Sequence, residues 1–287
     1  MMTRRQMMRS VFYSLPPVAA TAKMAVAYGG DSLEFEVVEV EVPIQGLPDR
    51  LKGLSFVQIS DLHLGLKFNT LDAQELRAAK EVIEDLHPDF VLLTGDIMDR
   101  MPFELREETR ILSSIRSRHG TFGILGNHEH YAGAPTIYHG LVKAGVDMLV
   151  NEHRILKVRD EELALIGVDT PASAFGSGAF LERVIRKTVD GVGRVDLPRI
   201  LMSHHPNGFY YANPRGVDLT ISGHTHGGQV VFGEFGDFRL SPAQLVFKYL
   251  KGHYRRDHTH LYVNAGLGHW MPLRHNCAPE ITRFTLV

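Results

Sequence analysis

Along the first half of the chain, segments with the apolar pattern of strands alternate with segments whose apolar residues have the spacing of helices. Residues 54–59 and the continuous apolar run 90–94 predict buried strands. Between them, residues 71–87 carry an apolar stripe at helical spacing, and Asp72 and Glu75 form a possible capping box at its start. The pattern therefore predicts a strand, a helix and a second strand in succession.

The same alternation continues further along the chain. A helix is predicted over residues 104–118 and a strand over residues 121–125, while residues 33–42 alternate as an edge strand does. Strand–helix–strand order favours right-handed connections and a largely parallel sheet.

The second half contains more strand and less helix. We predict a hairpin from residues 154–158 and 163–168, a helix over residues 180–189, and further strands over residues 199–203, 217–221, 229–232, 260–264 and 281–286. Neither a repeat nor a linker interrupts residues 31–287. We therefore predict one α/β domain over this range, for which a two-sheet sandwich is one architecture.

The first thirty residues differ from the rest of the chain. Three arginines stand within the first nine residues, and a short apolar run over residues 11–22 follows them. This layout predicts an export signal, and residues 3–8 are similar to the twin-arginine type. An anchor on the membrane surface, or a disordered tail, is the alternative. We leave residues 1–30 outside the predicted fold and expect a cell-envelope protein, exported or membrane-associated, with a cytoplasmic location as the alternative.

Composition and charge narrow the class of protein. The chain is 44% hydrophobic and 22% charged, as in a globular protein with a sizeable core. A net charge of −2 makes nucleic acid an unlikely partner. The single cysteine excludes an intrachain disulfide. The 16 histidines stand out, because histidine is a common metal ligand and proton donor.

Side chains with metal-binding chemistry follow the predicted strands, at the edge where open α/β sheets bind ligands. They offer carboxylate, amide or imidazole donors and no thiolate, which suits Mn, Fe or Zn in a catalytic site. Seven donors exceed the need of one ion and suit two ions that share a carboxylate. For Asp61 and Asp96 the alternative is helix capping. The candidates are Asp61, His63, Asp96, Asn127, His204, His224 and His226.

Taken in order, these motifs resemble the calcineurin-like metallophosphoesterase superfamily, over residues 54–230. The resemblance implies a four-layer α/β/β/α sandwich of two mixed sheets, with a dinuclear metal site at the sheet ends. It also implies hydrolysis of a phosphoester by a hydroxide that bridges the metals. The motifs are Asp61-Leu62-His63, Gly95-Asp96-Ile97-Met98-Asp99, Gly126-Asn127-His128-Glu129, His204 and Gly223-His224-Thr225-His226.

The resemblance implies a role for each motif residue. Two divalent ions are expected, with manganese favoured and iron or zinc as alternatives. One would bind Asp61, His63 and His226, and the other would bind Asn127, His204 and His224, with Asp96 bridging the two.

Further residues would act on the substrate. His128 would protonate the leaving alkoxide, and Asp99 would orient this histidine. Arg100 is similar to a phosphate-contacting arginine, with a solvated surface arginine as the alternative. We place His269 and Trp270 at the rim of the substrate pocket.

The C-terminal half resembles one branch of the superfamily, the bacterial exported or membrane-associated phosphodiesterases. That branch includes UDP-2,3-diacylglucosamine hydrolases, so the resemblance implies a phosphodiesterase or pyrophosphatase on a lipid- or nucleotide-linked phosphate. Residues 232–256 are aromatic and basic; we favour their packing on the core over contact with a lipid headgroup or the membrane surface. The branch motifs are Gly227-Gly228-Gln229, Gly266-Leu267-Gly268, Pro272-Leu273-Arg274 and Pro279-Glu280-Ile281.

Two alternatives stay open from the sequence. One is a broad phosphomonoesterase or nucleotide phosphodiesterase. The other, from a different class, is a non-catalytic scaffold or binding protein of the cell envelope. Such a protein could lose ligands or the proton donor, whereas all seven candidate ligands and His128 are present.

Overall fold

The computed structural model of the chain describes residues 22–27, 34–66, 71–102, 104–169, 178–236, 238–271 and 273–287. Most of the predicted N-terminal signal or anchor lies outside these residues. The described part contains two large mixed sheets and one small hairpin.

The first sheet has seven strands in the order β1-β2-β15-β3-β4-β5-β6. Strands β3 to β6 are parallel, whereas β15 runs antiparallel to β3. The strands are β1 (Ala22–Ala27), β2 (Glu34–Val42), β3 (Ser55–Ile59), β4 (Phe90–Thr94), β5 (Thr121–Ile124), β6 (Val146–Met148) and β15 (Glu280–Leu286).

Strand β1 corrects two expectations. The sequence placed residues 1–30 outside the fold and β2 at a sheet edge, but β1 pairs antiparallel with β2. Residues 22–27 were assigned to the predicted signal, and their mixed run Ala-Lys-Met-Ala-Val-Ala has no clear period of two, so the pattern gave no strand signal there.

The second sheet has six strands in the order β13-β14-β10-β9-β8-β7. Strands β7 and β8 form the predicted hairpin, and β8, β9, β10 and β14 are parallel. The strands are β7 (Glu152–Val158), β8 (Glu161–Val168), β9 (Arg199–Ser203), β10 (Leu219–Ser222), β13 (Gly252–Arg256) and β14 (Thr259–Val263), and the small hairpin is β11 (Gly233–Phe235) with β12 (Phe238–Leu240).

Six α-helices are described. Helix α1 begins with the predicted capping box: the Asp72 carboxylate accepts the Gln74 and Glu75 N–H groups, and Glu75 accepts the Asp72 N–H. The second predicted helix is shorter than residues 104–118. The helices are α1 (Ala73–Asp85), α2 (Arg106–Ser113), α3 (Asn127–Ala132), α4 (Ala134–Lys143), α5 (Gly178–Asp190) and α6 (Gly208–Ala212).

Buried side chains divide the molecule into four layers. Successive residues of a strand point to opposite faces, so Val57 packs under α1, α2 and α4 whereas Phe56 points between the sheets. There Phe56 stacks on Phe90 and Phe284, with ring centroids 4.9 and 4.8 Å apart. On the far face of the second sheet, Ile166 packs against α5. The predicted α/β/β/α sandwich is confirmed.

Residues 229–256 differ from their prediction. The predicted strand over residues 229–232 does not form, because Gly227, Gly228 and Gln229 have left-handed backbone angles that end extended structure. Of residues 232–256, Tyr249 and Leu250 pack on the core as expected. Phe232, Phe235, Phe238 and Leu245 are exposed, so core packing was the wrong expectation for the apolar side chains of residues 232–245.

Candidate metal and catalytic site

The seven candidate ligands meet at one end of both sheets. Asp61 and His63 follow β3, Asp96 follows β4 and Asn127 follows β5, all in the first sheet. The other three candidates, His204, His224 and His226, follow β9 and β10 of the second sheet. The parallel strands direct their carboxyl ends to this edge, so segments far apart in sequence converge there.

Asp61, His63 and His226 form the first cluster. The Nε2 atoms of His63 and His226 lie 3.0 Å apart, and His226 Nε2 lies 3.5 Å from Asp61 Oδ1. All three side chains are buried. One cation could contact all three, since their ligand atoms lie within 4.8 Å of one another.

Asp96, His204 and His224 form the second cluster, with Asn127 beside it. His204 Nε2 lies 3.1 Å from Asp96 Oδ2. His224 Nδ1 lies 3.0 Å from Asn127 Oδ1 and 3.3 Å from His204 Nε2. A carboxylate, an amide oxygen and two imidazoles therefore face a common point.

The carboxylate of Asp96 stands between the two clusters. Its Oδ2 atom lies 3.9 Å from His63 Nε2 in the first cluster and 3.1 Å from His204 Nε2 in the second. Its Oδ1 atom accepts the His128 backbone N–H at 2.8 Å, which fixes the plane of the carboxylate. One oxygen thus faces both clusters, the placement that a bridging ligand needs.

The backbone at the site is held in an uncommon conformation. Asp61, His63, Asp96, His224 and His226 have φ between 49° and 73°, in the left-handed region where aspartate and histidine are enriched. Neither Asp61 nor Asp96 begins a helix, which removes the capping alternative. Instead, Asp61 accepts the His224 N–H from the other sheet at 3.0 Å.

Hydrogen bonds at the far side of two imidazoles orient them towards the clusters. His63 Nδ1 lies 2.8 Å from Asp99 Oδ2, and His204 Nδ1 lies 2.8 Å from the Thr94 carbonyl. With the proton on Nδ1, each Nε2 lone pair would face a cation held in its cluster, as in carboxylate–histidine–metal arrangements.

The charges at the site fit divalent cations. Burial alone would lower the pKa of His204, but Asp96 and Asp61 outweigh it and raise that pKa to about 10. Lone pairs and carboxylate oxygens at 3–4 Å repel one another unless positive charge lies between them. The donor set therefore suits hard or borderline ions, as expected from the sequence.

His128 and Asp99 form a pair at the edge of the clusters. His128 Nδ1 lies 2.5 Å from Asp99 Oδ1, and 25% of the His128 side chain is exposed. Burial works against the charged imidazole, but the hydrogen bond to Asp99 and the nearby carboxylates raise the pKa of His128. The pair can therefore present a proton on Nε2 towards a bound substrate.

Glu129 is a site residue whose role sequence reasoning missed. Its side chain is fully buried and clamps the turn that carries Asp96. The sequence did contain a signal for Glu129, because this residue completes the Gly-Asn-His-Glu motif. Its carboxylate accepts four backbone N–H groups, from Asp96, Ile97, Met98 and Gly126, at 3.1, 2.5, 2.9 and 2.7 Å.

A second missed support lies behind Asp61. The Gly268 N–H donates to the Asp61 carbonyl at 2.8 Å, and a Cβ at Gly268 would lie 2.2 Å from the Leu62 oxygen. Only glycine allows this approach. The partly buried Arg274 guanidinium fixes the same loop by donating to the carbonyls of Ala265, Gly266 and Gly268. The Gly-Leu-Gly motif was noted in the sequence without this role.

The remaining predicted residues lie around the clusters. Arg100 is exposed and donates to the Gly65 carbonyl at 2.8 Å. His269 is buried, and burial followed by the charges of Arg274 and His63 lowers its pKa to about 4. Trp270 is half exposed.

Two further histidines lie beside the candidate ligands. His130 Nε2 pairs with Asp169 at 2.8 Å. The ring of His205 lies 4.5 Å from that of His224.

Two buried ligand clusters at the sheet ends of a four-layer sandwich define the class of metal-dependent phosphoester hydrolases. A family model described as calcineurin-like phosphoesterase matches residues 54–228. The chain belongs to this family and is a metal-dependent phosphoric ester hydrolase.

Individual relatives agree with this class. The chain is 30% identical to the metallophosphoesterase YkuE of Bacillus subtilis over 99% of this chain and 98% of that protein. It is 26% identical to the phosphodiesterase YaeI of Escherichia coli over 70% of this chain and 71% of that protein.

A longer relative is named for a membrane location. The chain is 31% identical to the transmembrane protein with metallophosphoesterase domain of Danio rerio, over 88% of this chain and 57% of that protein. The match thus spans little more than half of the Danio rerio protein. Among the described residues of the present chain, no helix has the length and apolar character needed to cross a bilayer.

Proposed function

We propose that the protein hydrolyses phosphodiesters with two divalent cations, held by the seven clustered ligands. Asp61, His63 and His226 would hold one cation, and Asn127, His204 and His224 the other, with Asp96 shared. The observation that carries this proposal is the position of Asp96 Oδ2 between His63 Nε2 and His204 Nε2. Two such cations would lower the pKa of bound water and neutralise charge on the phosphoryl oxygens.

In this proposal His128 donates a proton to the leaving alkoxide. The raised pKa of His128 favours the charged imidazole that can donate a proton, and Asp99 would hold the ring so that Nε2 faces the substrate. Asp99 would remain a carboxylate throughout, because its hydrogen bonds to His128 and His63 outweigh burial and lower its pKa. Arg100, His269 and Trp270 would contact the rest of the substrate.

The proposal also covers the identity of the metal, the class of substrate and the location of the protein. Manganese is the favoured metal because a thiolate-free set of carboxylate, amide and imidazole donors suits it, with iron and zinc as alternatives. The diester or pyrophosphate would be lipid-linked or nucleotide-linked, with UDP-2,3-diacylglucosamine as one candidate. Residues 1–30 would direct the protein to the cell envelope.

A comparison of two soluble substrates tests the proposal. Purified protein is assayed with bis-p-nitrophenyl phosphate and p-nitrophenyl phosphate, with and without Mn²⁺. We expect metal-dependent turnover with preference for the diester, whereas preference for the monoester would favour the broad phosphomonoesterase. Asp96→Asn should abolish turnover and lower the metal content measured by mass spectrometry. Full activity in that variant would exclude the shared-ligand assignment.

His128→Ala tests the catalytic role directly, with His139→Ala at an exposed helix position as the matched control. The first variant should lose turnover of a diester with an alkoxide leaving group while it keeps its metal, and the second should retain both. If the unchanged chain turns over neither substrate with metal bound, the non-catalytic scaffold is the better account.

A further inference from the structure

The short helix α3 carries a proposed ligand at its start and a further histidine about one turn later. Asn127 faces the second cluster, with its Oδ1 atom 3.0 Å from His224 Nδ1. The neighbouring side chains of His128 and Glu129 hold the helix against the loop after β4, in the first sheet. The side chain of His130 contacts the second sheet instead.

His130 pairs with an aspartate that directly follows strand β8. The Nε2 atom of His130 lies 2.8 Å from Asp169 Oδ1. The two side chains are 20% and 10% exposed, so most of their surface is shielded from water. The Asp169 backbone N–H donates to Asn151 Oδ1 at 2.9 Å, which fixes the backbone at the second-sheet end of the pair. The pair therefore joins α3, which follows β5 of the first sheet, to the second sheet.

Asp169 lies beside a proposed ligand of the second cluster. Val168 and Ser203 are partners in the parallel pairing of β8 with β9. The next residues along these two strands are Asp169 and His204, and neighbouring strands lie about 5 Å apart. The two residues therefore leave the sheet side by side, and the His130–Asp169 pair borders the second cluster.

The second cluster takes its candidate ligands from both sheets. Asn127 follows a strand of the first sheet, whereas His204 and His224 follow strands of the second. An amide oxygen carries no net charge, so attraction to a cation positions it less strongly than it positions a carboxylate. The contact between α3 and the second sheet therefore matters for Asn127, because it sets how near this side chain lies to His204 and His224.

The first cluster takes none of its candidate ligands from α3. Asp61 and His63 follow β3, and His226 follows β10. Loss of the contact between His130 and Asp169 should therefore affect the two clusters unequally. This difference separates a role at the second cluster from general support of the fold.

We propose that the His130–Asp169 pair is a positioning contact, which holds Asn127 in place to bind the cation of the second cluster. The presence of two cations rests on the proposed function. Groups that orient metal ligands from behind commonly contribute about 10- to 100-fold to metal affinity. His130 would contribute in this way through Asn127, without contacting the cation itself.

Stepwise binding of Mn²⁺ tests the pair. The full chain is freed of metal and titrated with Mn²⁺, and the free and bound ions are followed by electron paramagnetic resonance. The unchanged chain should bind two ions. His130→Ala should weaken one of the two binding steps at least about tenfold and leave the other unchanged, and it should reduce the signal of coupled Mn²⁺ pairs.

A double variant tests whether His130 acts through Asn127. Asn127→Ala should weaken the same binding step as His130→Ala does. Adding His130→Ala to Asn127→Ala should then cause little further loss, because the side chain that His130 positions is already absent. Additive losses would overturn the positioning role.

Three further variants separate this role from support of the fold. Asp169→Ala removes the other member of the pair and should weaken the same step, so it serves as the test if His130→Ala does not fold. His130→Gln keeps an N–H donor for Asp169 and should retain more affinity than His130→Ala. Arg154→Ala breaks another ion pair between the sheets, with Asp147, at strands β6 and β7, which no candidate ligand follows. It should leave both binding steps unchanged.

Three other results would also overturn the positioning role. They are unchanged Mn²⁺ binding in His130→Ala and Asp169→Ala, equal weakening of both steps, or a loss in Arg154→Ala as large as that in His130→Ala. These results would leave the proposed function intact, provided that the unchanged chain binds two ions. An unchanged chain that binds a single Mn²⁺ would exclude the two-cation site, and the positioning role with it.

Discussion

Asp99 joins the His128 imidazole to the cluster of candidate ligands that contains His63. One carboxylate oxygen lies 2.5 Å from His128 Nδ1, and the other lies 2.8 Å from Nδ1 of His63. A single side chain therefore orients both the proposed proton donor and a proposed ligand. This double contact distinguishes Asp99 from a residue that acts on His128 alone.

Asp99→Asn should slow hydrolysis most for diesters with a poor leaving group. The amide cannot hold a charged His128, so protonation of an alkoxide is lost, at a cost of about 10²–10⁴ in rate. An activated p-nitrophenolate needs no such proton and should be affected far less. Comparing kcat for alkyl and p-nitrophenyl diesters checks this, with Asp147→Asn, at a half-buried position paired with Arg154, as control. Equal losses for both substrates would mean that Asp99 acts through His63 only.

Glu129→Gln should destabilise the protein and weaken metal binding. In the unchanged chain the backbone N–H groups of Asp96 and Ile97 donate to the Glu129 carboxylate. A glutamine would turn its own N–H₂ group towards some of these donors, so part of the clamp around Asp96 is lost. The free energy of unfolding should fall by about 1–3 kcal/mol, measured by urea denaturation. Bound metal should fall with it. Glu104→Gln, whose exposed side chain also accepts a backbone N–H, is the control. Unchanged stability would show that the clamp does not need the charge.

Lys251→Met should destabilise the contact between the sheets. Lys251 Nζ lies 2.6 Å from Glu36 and 3.0 Å from the fully buried Glu280. Without the lysine, the buried Glu280 carboxylate and the partly buried Glu36 carboxylate lose their counter-charge, which costs about 3–5 kcal/mol. Urea denaturation measures the loss. Lys157→Met, at an exposed pair, should change stability by less than about 0.5 kcal/mol. Adding Glu280→Gln to Lys251→Met should restore part of the stability.

His253 should make the fold sensitive to acid. Burial, followed by the charges of His260 and Arg255, lowers the pKa of His253 to about 4, below its ordinary 6.5. As pH falls below 6.5 the unfolded chain takes up the proton first. The free energy of unfolding should therefore decrease between pH 6.5 and 4, by about 1–2 kcal/mol at about pH 5.

His253→Gln should reduce this dependence on pH, as followed by urea denaturation at a series of pH values. His139→Gln, at an exposed position, controls for the loss of one imidazole. A pH dependence that is the same in the unchanged chain and in His253→Gln would contradict the assignment to His253.

The sequence predicted those elements in which an apolar strand pattern is directly followed by a ligand-type side chain. Strands β3, β4, β9 and β10 are short apolar runs that end in ligand-type side chains, so both the strand and its motif were visible. The four-layer fold was implied by the family resemblance that the order of these motifs carries. Buried parallel strands carry this signal because both of their faces are covered.

Other features depended on contacts that no local pattern records. Helix α3 has only six residues, too few to show a period, although it carries Asn127 and His128. The role of Glu129 depends on backbone groups 31–33 residues away in the chain. The β11–β12 hairpin was missed because its buried arginine and exposed phenylalanines reverse the usual pattern. Residues 233–240 do alternate with the period of two that strands have, but this pattern would have placed the phenylalanine face, and not Arg239, in the core.

The candidate ligands are divided between the two sheets, and the layer of side chains between those sheets therefore sets the span of the reactive centre. Phe56 and its stacked neighbours act as a spacer with a fixed thickness. A substitution that thins or thickens this layer would move the histidines after β9 and β10 relative to Asp61 and Asp96. Substitutions in this layer would therefore change the separation of the two proposed cations, and with it the preference of the site among metals. No residue that contacts the cations would need to be replaced.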